Sequence, residues 1–67
     1  MQNPWGLTPK QIDVMRALCE HGHYKVAADK LGVTTRAVER QVMYVRDVMG
    51  GLDRTRALIE FDRWDRA

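Results

Sequence analysis

Proline occurs only at positions 4 and 9, so no residue from 10 to 67 interrupts a helix by lacking an N–H. Beyond that point glycine is the only punctuation, at 22, 32 and the pair 50–51. The intervals between these glycines have helical length, and apolar residues recur inside them at helical spacing. The pattern predicts helices over about 9–20, 24–31, 35–49 and 54–64. At 67 residues there is room for one core, so residues 1–67 are expected to form a single all-α, four-helix domain with its core in 7–64. A fold this small hides only about 60% of its unfolded surface, so its stability margin is thin.

Each helix has a readable start and face. Thr8-Pro9-Lys10-Gln11 is a capping box with proline at the first helical position, and Leu7 and Ile12 are spaced for a hydrophobic staple. Val14, Met15 and Leu18 then share the apolar face, and Arg16 and Glu20 form an i,i+4 pair. Tyr24, Ala27, Ala28 and Leu31 make one face of the second helix, which Gly32 ends. Thr34 caps the third, whose core face is Val38, Val42, Val45 and Met49. Asp53 caps the fourth, where Ala57, Phe61 and Trp64 face inward and fraying is expected after Trp64.

Composition removes several function classes. One cysteine cannot form an internal disulfide, there is no serine, and no apolar run approaches the roughly 20 residues of a membrane span. The start carries no signal-peptide pattern, so a cytoplasmic, non-membrane protein is expected. No P-loop, G-x-G-x-x-G or metal-hydrolase motif appears, so no enzyme and no cofactor are expected. Cys19, His21 and His23 have no fourth ligand nearby and no metal is expected there. Cys19 reads as a buried, inert shoulder of the first helix, and the two histidines as residues of the connecting loop.

The segment around Gly32-Val33-Thr34 carries the functional signal. A short helix with two alanines, a glycine turn, an apolar residue to pin it and a capped longer helix are the parts of a helix-turn-helix. In that motif the second helix enters the DNA major groove, led by its N-terminal residues. Arg36 and Arg40 are like charges at i,i+4, which costs a few tenths of a kcal/mol. A polyanion converts that cost to a gain, and arginine reads guanine O6 and N7 bidentately. The net charge is only +2, so the local arrangement says more than the total.

Residues 7–59 resemble the LuxR/GerE-type tetrahelical helix-turn-helix of bacterial transcription regulators, aligning without a gap. The stretches that carry the likeness are Leu7-Thr8-Pro9, Val14, Leu18, Ala28-Asp29-Lys30-Leu31-Gly32-Val33-Thr34, Ala37-Val38, Val42, Val45, Met49-Gly50, Asp53-Arg54-Thr55 and Ala57. The resemblance implies that helix three lies in the major groove of double-stranded DNA and that homodimers form through helix four. It implies base-facing positions at Glu39, Arg40 and Met43, phosphate-side positions at Lys25, Thr35 and Arg36, and a further one at Arg54. The dimer seam is expected at Leu58 and Ile59, with Asp62 beside Ile59.

The chain departs from the family at four places. Glu39 stands where the family has a lysine; a carboxylate repels phosphate but accepts from cytosine N4. Gln11 replaces a glutamate and keeps the cap, His23 is a weaker cap than a serine, and Ala27 replaces an isoleucine. With only a short tail before residue 7, the resemblance implies a stand-alone regulator of a bacterium, phage or plasmid, acting in the host cytoplasm. RNA polymerase or another regulator would be its protein partner. Other readings stay open. Leu7-Thr8-Pro9-Lys10-Gln11 also resembles the start of phage small-terminase DNA-binding domains, which would form a ring. A protein-binding adaptor or anti-activator would use the fold without DNA, and a sigma-factor region 4-like module would need polymerase contacts.

Overall fold

A computed structural model describes residues 3–67. The chain is all-α: α1 (Pro9–His21), α2 (Tyr24–Leu31), α3 (Thr35–Val48) and α4 (Arg54–Arg66), with no strand among the described residues. Three of the four helices open on the expected side-chain cap. Thr8 Oγ1 accepts from the Gln11 amide at 3.2 Å while Gln11 Oε1 accepts from the Thr8 amide at 3.0 Å. Thr34 Oγ1 accepts from the Ala37 amide at 3.0 Å, and Asp53 Oδ1 from the Arg56 amide at 2.8 Å. His23, before α2, makes no such bond.

Three of the helix ends use left-handed backbone, with Gly22 at φ +77° closing α1. Gly32 has φ +69°, and the amides of Gly32 and Val33 close back onto the carbonyls of Asp29 and Ala28 at 3.2 and 3.0 Å. Gly50, at φ +93°, does the same after α3, with its amide on Asp47 and that of Gly51 on Arg46. Both are Schellman closures, which satisfy orphan carbonyls and turn the chain sharply. The first sets α3 off from α2 after only Gly32, Val33 and Thr34, an arrangement compatible with a helix-turn-helix.

α1 and α3 each pack against all three other helices, and α2 and α4 lie on this central pair without a seam between them. The largest fully buried side chains are Phe61, Met15, Leu18, Val38, Val42 and Val45. Each such burial contributes about 1.5–3 kcal/mol. Ala27, Ala28 and Ala57 are buried too, small residues where helices approach. Val33 is half-buried against the core, as a residue pinning the turn must be.

Several expectations need correction. α4 continues to Arg66 instead of fraying after Trp64. Its last turn is held by the Trp5–Phe61–Trp64 aromatic cluster, by Arg16 of α1, whose guanidinium grips Asp65 at 2.9–3.2 Å, and by an Asp62–Arg66 pair at 2.8 Å. Arg16 therefore bridges two helices instead of pairing with Glu20 along its own. α1 runs to His21, so that histidine is helical, and α3 stops at Val48 with Met49 as its cap. Cys19 is exposed, not buried; its Sγ lies 3.7 Å from the Leu58 carbonyl across the α1–α4 seam. Partial desolvation there, with Asp62 and Asp65 near, pushes its thiol pKa up and keeps it protonated.

Asn3 has a role that the sequence did not signal. Its Oδ1 accepts from the amides of Trp5 and Leu7 at 3.1 and 2.7 Å, and its Nδ2 donates to the Leu7 carbonyl at 3.0 Å. This clasp aims Trp5 at Phe61 and Trp64, ring centroids 6.4 and 5.9 Å away.

Candidate nucleic-acid interface

The core valines of α3 occupy one side of the helix, so the residues between them are driven outward. Thr35, Arg36, Glu39, Arg40, Met43 and Tyr44 border one shallow, open surface. Five of these six are the α3 residues expected at the interface. Met43 is 66% exposed, which excludes it from the core. Tyr44, also exposed, joins the same surface and was not among the expected contacts. Its position four residues after Arg40 was the available signal.

The eight arginines divide by what they touch. Arg16 holds Asp65, Arg56 and Arg63 both approach Glu60 at 3.4 and 3.7 Å, and Arg66 holds Asp62. Arg46 Nε donates to the Leu52 carbonyl at 2.8 Å, tying α3 to the linker before α4. The guanidinium of Arg54 lies 5.2 Å from the centre of the Tyr24 ring, a cation–π contact joining the starts of α4 and α2. Among the described residues, Arg36 and Arg40 are the two arginines with no ion pair, hydrogen bond or aromatic face to hold them. Lys10, Lys25 and Lys30 are likewise unpaired and exposed.

The uncommitted cations thus run from α1 through α2 to the first half of α3, and the α4 cations are engaged within the fold. Neither α2 nor α3 has an acid in its first turn, where Lys25 and Arg36 stand instead. Both positive helix ends are therefore left uncompensated, which favours an anion nearby. Glu39 and Asp47 are exposed on α3 and keep its face from being uniformly positive.

The other expected positions separate. Lys25 is exposed at the start of α2 and Thr35 at the start of α3, and Arg54 is anchored on Tyr24. On α4 only Ile59 presents an exposed apolar side chain, at 45%. Leu58 is half-buried and packed against the core, and so is not an exposed seam residue like Ile59. Asp62 is occupied by Arg66. Among the described residues no group of three His, Cys, Asp or Glu side chains converges to hold a metal ion. Among the described residues no helix is long and apolar enough to cross a membrane.

No protein-family model matches the chain, and neither a curated protein nor a solved structure was found to match it.

Proposed function

We propose that this chain is a sequence-specific regulator that binds double-stranded DNA through the major groove with α3. The observation that carries the reading is the distribution of partnerless cations. Arg36 and Arg40 share one exposed row of α3, at a cost in repulsion, while the other six arginines are engaged. A phosphate-lined groove supplies what this row lacks. Lys25 and the uncompensated start of α2 contact backbone phosphates, and Arg40 reaches a base edge. The turn geometry, the caps and the likeness to LuxR/GerE-type domains support the same assignment.

The longest dimension of the fold is 27 Å, less than the 34–36 Å or so of one DNA turn. One molecule therefore addresses one exposure of the major groove. Two copies related by a two-fold axis, meeting at the Ile59 face of α4, would read half-sites about one turn apart. Occupancy then changes what polymerase can do at that site.

Selection of bound sites from random duplexes tests the reading. An enriched sequence is expected, with affinity that falls as salt rises by a slope of about 0.9 per neutralised phosphate. No enrichment together with salt-independent affinity would sink it. The exposed Met43, Tyr44 and Val48, with Glu39 and Asp47 among them, favour a second reading, a protein-binding adaptor, and that same negative result would select it.

A further inference from the structure

The exposed surface of α3 consists of two adjacent rows at i,i+4 spacing. One row is Thr35, Glu39, Met43 and Asp47, and the other is Arg36, Arg40, Tyr44 and Val48. The second row begins with donors. The first begins with acceptors and then a thioether. Glu39 forms no ion pair among the described residues, although Arg40 is its neighbour and Arg36 lies one turn back. Against a groove of DNA, an exposed carboxylate free beside two free arginines is available to a donor on a base edge.

The base edges narrow that donor. In the major groove guanine shows two acceptors and thymine an acceptor and a methyl group. Either would set a lone pair against the carboxylate. Adenine offers its amino group but places N7 beside it, whereas cytosine offers N4–H₂ with no acceptor on that edge. Arginine has the opposite demand and is met by guanine, the base paired with cytosine. Met43 follows Glu39 by four residues, about 6 Å of helix rise, and so falls one or two base steps of about 3.4 Å away. Its exposed, uncharged side chain suits the C5 methyl of a thymine there.

We infer that Glu39 and Met43 read the pyrimidine edges of the bound site while Arg40 reads a guanine, so that the site contains a C·G pair with a thymine one or two steps away. This rests on the DNA reading above. Glu39 acts as much by exclusion as by attraction. Near phosphates it disfavours every duplex that gives it no amino group, which lowers non-specific binding and widens the gap to the cognate site.

The test uses the sequence that wild-type protein selects from random duplexes, measured by fluorescence anisotropy at fixed salt. Wild type is expected to prefer C·G at one position roughly ten- to hundredfold. Glu39→Gln should move that preference to A·T, since glutamine pairs bidentately with adenine N6 and N7, and should raise affinity for unrelated DNA. Replacing that thymine by deoxyuridine removes one methyl and should weaken wild type about fourfold, while leaving Met43→Ala indifferent. Both side chains are exposed, so the variants keep the fold. If Glu39→Gln retains the C·G preference, or wild type does not distinguish thymine from deoxyuridine, the inference is overturned and the DNA reading stands. If wild type enriches no sequence, the DNA reading itself falls, and this inference with it.

Discussion

Arg40 and Arg46 are six residues apart on α3 and have opposite surroundings. Arg46 is half-buried and donates to the Leu52 carbonyl, whereas Arg40 is exposed with no partner among the described residues. Arg40→Ala should therefore weaken specific DNA binding by about 1–3 kcal/mol and relax one base position. Its unfolding free energy should change by no more than about 0.5 kcal/mol. Arg46→Ala should lose about 1 kcal/mol of stability in urea titration, because a carbonyl is left without its donor. Lys25→Ala should weaken all duplexes evenly and reduce the salt slope by about one. Equal loss of stability in Arg40→Ala and Arg46→Ala would contradict the division between free and engaged arginines. The sequence marks Arg36 and Arg40 as a like-charged row, because that follows from helical spacing alone. It does not distinguish Arg46, whose partner lies beyond the end of its own helix.

The α2–α3 connection shows how much one element boundary can carry. Gly32 sits at φ +69° with open space around the position of a Cβ, so a methyl group there meets no neighbour. The cost of Gly32→Ala is the backbone term alone, about 1–2 kcal/mol, read as a lower urea midpoint with an unchanged slope. A cost near zero would mean that the turn can relax without losing its Schellman bonds. DNA affinity of the folded fraction should fall as well, because the turn sets α3 relative to α2. This boundary was legible in the chain as Gly32-Val33-Thr34, since caps and closures are made by residues within a few positions of each other. The end of α4 was not legible. Spacing alone leaves Asp62 and Asp65 on a charged, fraying tail, while packing brings Arg16 and Trp5 to it.

Over the whole molecule, the middle of α1 and the segment before it are joined to the last turns of α4 by the Arg16–Asp65 bridge and the Trp5–Phe61–Trp64 cluster. Hydrogen bonds from Arg16 hold the Asp65 carboxyl below the usual carboxylate range. A depressed folded-state value means the contribution is present above the unfolded pKa and is lost as pH falls through the folded one. Arg16→Ala should thus lower the thermal midpoint at pH 7, and its difference from wild type should shrink below about pH 4. A difference independent of pH would remove the bridge from the account. Assembly is read at this scale too. Ile59→Asp should reduce self-association in sedimentation, and a wild-type monomer at tens of micromolar would overturn the α4 seam.

The helix count, the starts, the ends of the first three helices to within a residue, and the core face of each helix are written in the chain. Caps and closures join residues no more than five positions apart, and their energies depend little on what lies elsewhere. Which charges stay free follows from packing. Arg16 finds Asp65 forty-nine positions away, Arg54 settles on Tyr24, and Leu58 turns to the core while Ile59 stays outside. A charge is paired by distance in space, and packing sets that distance. Helical spacing marks Arg36, Glu39 and Arg40 as one exposed surface, and packing leaves both of its arginines without a partner among the described residues while it engages the other six.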